Sequence, residues 1–271
     1  MTYFRQLVMS RELLFNLVSR EVKGQYRRTV LGQLWSLINP LATMLVYSVV
    51  FGLIFRAGPP PGDPSGLDIY ALWLMSGLLV WTFFARVVNQ GLDSLVANAN
   101  LIQKVYFPRM HLVLATMLST AMTWCFELGV LIVALHLFGG FPLPWLPLLL
   151  VYMVLLALFA TGVSMLLAIF NVHFRDTKHF VTILLQLWMY LTPILYPIQL
   201  VENAVGNKPW LLTIYRLNPM EHFVQAFRDL LYNNRLPTLG DSLWCLGAAL
   251  VAFLIGYAVF SRSEKRLAEL L

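Results

Sequence analysis

The residues able to do chemistry are few, and their spacing argues against most reactions. Five histidines (His111, His136, His173, His179 and His222) lack metal-ligand spacing backed by nearby acids or cysteines. His173 and His179 flank Arg175-Asp176 in a turn, where they read as surface. No Gly-x4-Gly-Lys-Ser/Thr phosphate loop, HExxH helix, Asp-x-Asp pair or Gly-x-Ser-x-Gly elbow occurs. No catalytic residue, metal or cofactor of this chain is therefore expected. Cys125 and Cys245 both sit in apolar runs, which speaks against a disulfide scaffold. What remains is polar chemistry inside apolar sequence. Ala115, Ser119, Thr123 and Glu127 share one helical stripe, the pattern by which small and polar residues hold membrane helices together. A role for Glu127 in translocation is the sharper alternative. Trp188, Tyr190, Tyr196 and Trp210 cluster near one end of an apolar run. They suit an interfacial aromatic belt, or flat stacking faces for sugar rings.

The elements that must position these groups follow from composition. Of 271 residues, 59% are hydrophobic and only 12% charged, with a mean hydropathy of +0.72. Soluble domains carry about 25% charged residues, so the apolar excess must face lipid. Six stretches approach the roughly 20 apolar residues needed to cross a bilayer: residues 34–55, 69–88, 112–138, 145–170, 180–200 and 243–260. Pro193 and Pro197 are expected to break the fifth near its end. An even count puts both termini on one side, and 14 of the 19 Lys/Arg then fall on that side. By the positive-inside rule it is the cytoplasm. The basic excess is thus topological and does not indicate nucleic acid. Six of the basic residues precede the first span without a continuous apolar core, so no cleavable signal is expected. The chain reads as a single transmembrane domain, 1–271: an interface segment (1–33), six spans (34–260) and a cytoplasmic tail (261–271).

Three stretches between the spans carry further information. In residues 3–32, Leu13, Leu14, Leu17 and Val18 recur at helical spacing among basic residues, predicting an amphipathic helix lying in the membrane interface, apolar side down. In the cytoplasmic loop 89–109, Asn98 or Asn100 can cap a short helix whose Leu101, Ile102 and Val105 form an exposed apolar side, ended by Pro108. In residues 201–241, Asn218-Pro219 reads as an N-cap followed by proline at the first helical position, with Glu221 in the first turn. Phe223, Phe227 and Leu230 share one side of that helix, and Arg228 and Asp229 lie off it. Ala248, Ala252 and Gly256 form a stripe suited to close helix packing. The 57–67 loop is a Pro/Gly turn cluster, and 139–144 a tight hairpin.

Several stretches together resemble the ABC-2-type polysaccharide export permeases: REVKGQYRRTVLGQLW (20–35) followed by Asn39-Pro40, NLIQK (100–104) with FPR (107–109), NVHFRD (171–176), TPILYP (192–197), and Leu217-Asn-Pro219 with Phe227-Arg228. Gln25 departs from the basic residue that relatives often carry. The resemblance covers almost the whole chain. It implies an all-α integral membrane fold with six spans per subunit, an N-terminal interface helix and re-entrant outer helices between spans five and six. It further implies a homodimer driven by two copies of a separate cytoplasmic ATPase, which would hold the ATP and Mg. The transported molecule would be an undecaprenyl-pyrophosphate-linked polysaccharide of O-antigen, teichoic acid or galactan type, crossing the bacterial plasma membrane. By the same likeness, coupling to the ATPase would fall to Asn98, Asn100, Leu101, Ile102, Lys104, Val105, Phe107 and Arg109, with Arg175 and Asp176 as a second contact. Arg20, Lys23, Tyr26, Arg27, Arg28 and Trp35 would belong to the interface helix and its junction with the first span. Glu127, Tyr190, Pro193, Tyr196, Pro197, Asn218, Phe223, Phe227 and Arg228 are the channel and gate candidates. A drug or lipid permease of the same superfamily, a lipid-linked sugar transferase and a structural membrane subunit are the alternative readings.

Overall fold

The computed structural model describes residues 11–25, 31–47, 49–50, 60–105, 107–205 and 209–264, and among them every regular element is helical. In chain order these are α1 (Arg11–Gln25), α2 (Trp35–Tyr47), α3 (Tyr70–Ala97), α4 (Ala99–Lys104), α5 (Met110–Leu137), α6 (Leu146–His173), α7 (Thr177–Tyr190), α8 (Ile198–Val205), α9 (Pro209–Arg216), α10 (Pro219–Arg228) and α11 (Leu239–Ser263). Tyr26, Arg27 and Arg28, most of the distal half of the expected first span and the tail from residue 265 lie outside the described residues.

Among the described residues, four helices are long and apolar enough to cross a membrane: α3, α5, α6 with the 3-10 turn before it, and α11. The hub is α3, which packs against α5, α6 and α10, while α6 and α11 form the most extensive helix pair. That last contact depends on having no side chain at two positions. A Cβ on Gly162 would lie 2.4 Å from the backbone carbonyl of Ala252, and one on Gly256 would lie 2.3 Å from the Gly162 oxygen. The stripe Ala252/Gly256 is therefore the seam expected from the sequence.

Buried aromatics fill the space between α3, α5, α6 and α10. Phe83 stacks on Trp124 at 4.1 Å, Phe84 on Phe159 at 5.3 Å, and Phe159 on Phe223 at 5.6 Å. A second core at the other end of α3 gathers Leu95, Ile102, Phe107, Met110, Leu112 and Leu17. On the outside, Leu243, Val251 and Leu254 of α11 and Phe180, Ile183 and Leu187 of α7 are exposed.

Three expectations change. The helix expected to end at Val88 continues to Ala97, because Arg86, Asn89, Gln90 and Asp93 find partners within the bundle instead of breaking it. The α1 helix turns Leu17 into the second core, with Leu13, Leu14 and Val18 packed around it. Its apolar side thus meets protein, and Phe15 is left outward. Finally, α7 ends at Tyr190, three residues before Pro193. At 1.5 Å per residue its 14 residues reach about 21 Å, short of a bilayer core of about 30 Å.

Candidate functional site

The residues singled out by sequence collect at the two ends of the bundle. At the α4 end, Asn98 occupies the N-cap position of α4 but does not cap it. Its Nδ2 donates to the Ser94 carbonyl at 2.8 Å, and its Oδ1 accepts from Arg20 at 2.5 Å. The side chain thereby ties α1 to the α3–α4 junction. Within α4, Ile102 is buried, Leu101 is half-buried, and Asn100 and Lys104 are exposed; the following Val105 is also exposed. The expected outward apolar side is thus reduced, because Ile102 joins Phe107 in the core. The backbone N–H of Arg109 donates to Glu264 Oε1 at 2.6 Å, and its guanidinium donates to the Glu264 carbonyl, so the end of α11 is fastened to the segment after α4. Arg175 and Asp176 sit exposed in the α6–α7 turn, where the neighbouring Lys178 pairs with Asp93 of α3. Lys23 and Trp35 are exposed.

Between the two ends, Glu127 is buried and paired with Arg86, Nη1 to Oε1 at 2.7 Å. One turn of α3 further on, Thr120 donates to Gln90 at 2.8 Å. Glu127 and Thr120 of α5 therefore meet a polar stripe of α3. The i, i+4, i+7 spacing of Arg86, Gln90 and Asp93 was the sequence signal for it.

At the opposite end, Asn218 caps α10 as expected, its Oδ1 accepting from the Met220 N–H at 3.0 Å. The same oxygen accepts from Trp188 Nε1 at 2.8 Å, and Asn218 Nδ2 donates to Thr192 Oγ1 at 2.9 Å. One side chain thus joins α7, the Pro193–Pro197 break and α10. Phe223 and Phe227 are fully buried. The carbonyls of this break are captured inside the chain. Arg228 donates through Nη1 to the Pro193 carbonyl at 2.6 Å and through Nη2 to that of Ile194 at 2.7 Å, while Tyr70 donates to that of Leu195 at 2.8 Å. The Arg228 guanidinium lies 3.7 Å from the centroid of the Trp73 ring, in space left by Gly77. Arg228 and Asp229, off the aromatic side of the helix, are nonetheless buried, because α3 and the break cover that side too. Burial draws the Arg228 guanidinium down to about 9, so it stays charged near neutral pH. Tyr190 is exposed, whereas Tyr196 donates its hydroxyl to the Tyr190 carbonyl at 2.6 Å and lies 3.0 Å from the Tyr215 hydroxyl.

Beside this clamp opens a polar cavity of about 490 Å³, lined among others by Trp73, Pro197, Glu221, His222, Arg228 and Asp241. Burial raises the Glu221 carboxyl above the usual range. Burial alone would lower the His222 imidazole, but its hydrogen bond to Asp241 and the Glu221 carboxylate outweigh that and leave it raised. Sequence spacing gave no sign that Asp241, 19 positions away, meets His222.

Long apolar helices packed around α3, with a clamped break between α7 and α10, define a multi-pass membrane protein. The chain belongs to the ABC-2 type transporter family, whose profile matches residues 12–232. It is 31% identical over 267 residues to the O-antigen export system permease protein RfbA of Myxococcus xanthus, covering 98% of this chain and 97% of that protein. It is 30% identical to RfbA of Klebsiella pneumoniae over 96% of this chain and 95% of that protein. The capsule polysaccharide export inner-membrane protein CtrC of Neisseria meningitidis serogroup A is 25% identical, over 97% and 96%.

Proposed function

We propose that the chain is the membrane subunit of an ATP-driven exporter that carries a lipid-linked polysaccharide out across the bacterial inner membrane. The observation that carries this reading is the end-to-end match with O-antigen export permeases, which leaves almost no part of either chain unaligned. With no phosphate-binding loop in its sequence, the chain takes its energy from a separate ABC ATPase, two copies serving a homodimer. The charge distribution supports both termini in the cytoplasm, and hence six crossings, the fifth made by α7 together with the broken segment that follows it. On this topology α4, Arg109 and the Arg175-Asp176 turn meet the ATPase, with α1 beside them. The part-buried link from Arg109 to Glu264 then carries force from α4 to the last span. At the outer face, α8, α9 and α10 enter the leaflet without crossing it, a backbone course tolerated where protein covers it. Together with the Pro193–Pro197 break, they close the route over the exposed ring of Tyr190. The undecaprenyl pyrophosphate anchor and the O-antigen, teichoic acid or galactan class of the glycan belong to the same reading.

Deleting the gene in its host tests the export function. The expected outcome is loss of one surface polysaccharide with its lipid-linked form accumulating inside, reversed by the wild-type chain. Unchanged surface polysaccharide overturns the reading. The energy assignment has its own test: the isolated chain should neither bind nor turn over ATP, and specific hydrolysis by it would contradict the assignment.

A further inference from the structure

We propose that Glu221, His222 and Asp241 form a binding site for a divalent transition-metal ion of the zinc class, which fastens α10 to the first turn of α11. Their donor atoms all lie within 4.8 Å of one another. His222 Nδ1 is 2.7 Å from Asp241 Oδ1 and 3.4 Å from Glu221 Oε2. Two ligands held at about 2.0–2.1 Å on a tetrahedral ion stand about 3.3 Å apart, so small side-chain rotations suffice to admit one.

The orientation of the imidazole points the same way. His222 Nε2 lies 2.8 Å from the Arg216 carbonyl, which can only accept, so that nitrogen is held as a donor. Nδ1 is thereby the ring nitrogen turned to the two carboxylates. A ring N–H donated to a backbone carbonyl is also the outer-shell arrangement that orients metal-bound histidines.

Other contacts hold the ligands in place. The Trp244 ring stacks on His222 at 5.3 Å and 4°, fixing the imidazole plane. Thr238 donates its hydroxyl to Asp241 Oδ2 at 2.6 Å, leaving Oδ1 turned to the histidine. Independently, Glu221 is buried, and its Oε2 has no hydrogen-bond partner although it lines the cavity. The arginines that share the cavity are engaged elsewhere: Arg216 with Glu202 at 2.9 Å, Arg235 with Asp229 at 2.9 Å, and Arg228 with its two carbonyls. The cavity of about 490 Å³ leaves room for water in the fourth coordination position. One imidazole with two carboxylates suits zinc and its neighbours. Calcium and magnesium prefer six or more oxygens, which three side chains do not supply.

The test uses the full-length chain in detergent, free of any affinity tag and stripped with a chelator. It is titrated calorimetrically with Zn²⁺, and with Co²⁺ while the visible absorption is followed. The expected result is one equivalent per chain and a Co²⁺ spectrum of mixed nitrogen and oxygen ligation. Glu221→Gln and His222→Gln should each weaken binding by roughly tenfold or more. Glu202→Gln, in the same cavity, should not, and gel filtration checks that each variant keeps its elution position. Should either variant fail to fold, the stoichiometry and cobalt spectrum of the parent decide alone. No binding by the parent means that a proton occupies the site and overturns the proposal, as does binding that both variants leave intact. Neither outcome bears on the export reading.

Discussion

Replacing Arg228 by methionine tests how the break after α7 is held. Methionine keeps the length and the apolar stem but offers no donor. The carbonyls of Pro193 and Ile194, now bonded at 2.6 and 2.7 Å, lose their partners. A buried acceptor left unsatisfied costs about 1–3 kcal/mol. The guanidinium's contact with Trp73, at 3.7 Å, is worth a further ~2 kcal/mol when desolvated. Removing the buried cation also removes its desolvation penalty, which offsets several kcal/mol of these losses. The balance expected is a destabilisation of about 2–4 kcal/mol, since both carbonyls are covered by protein and have no water to turn to. Arg228→Lys keeps the charge and one bond, and should lose about half as much. Gly77→Ala reaches the same clamp from α3, because its Cβ would lie 2.9 Å from Arg228 Nη2. The two positions share one interaction, so Gly77→Ala in the Arg228→Met background should add little. Thermal midpoints of the detergent-solubilised chain, read by fluorescence-detected gel filtration, give the order: parent highest, Gly77→Ala and Arg228→Lys intermediate, Arg228→Met lowest. A parental midpoint for Arg228→Met, or full additivity with Gly77→Ala, would refute the clamp.

Alanine at Gly162 or Gly256 should destabilise by more than the ~1 kcal/mol that helix propensity returns, because each Cβ meets backbone at under 2.5 Å. Gly129→Ala and Gly247→Ala, with nothing within 4 Å, should be neutral or stabilising in the same melts; equal behaviour of all four would remove the seam. Arg86→Met strands the buried Glu127 carboxylate and should lower the folded yield sharply, at a cost of about 3–5 kcal/mol, whereas Glu127→Gln should be tolerated; matching losses would contradict the pair. Val105→Asp, at an exposed position, should weaken ATPase docking in pull-down without changing the melting midpoint. Ile102→Asp should instead unfold the α4 end, and the reverse pattern would place the contact elsewhere.

The sequence by itself determined the membrane class, four stretches long and apolar enough to cross, the break near Pro193, and several local devices. These are properties of neighbouring residues: apolar run length, the Asn218-Pro219 cap, the tight hairpin at 139–144, and the small-residue stripe ending at Gly256. They were legible because helical periodicity and capping act over at most a few turns. The partners of the buried charges were not legible. Arg228 looked like the polar side of an amphipathic helix, yet it reaches carbonyls 34 and 35 positions away. Pro193 and Pro197 announced a break, but not that Arg228 and Tyr70 would close on the segment between them. The apolar side of α1 read as facing the membrane interface, because lipid and core attract the same residues; the presence of Ile102, Phe107 and Met110 in one core with Leu17 decided otherwise. His222 and Asp241 show the same limit. Where cover excludes water, a polar group must find its partner in space, and only the packing of whole helices fixes which one it finds.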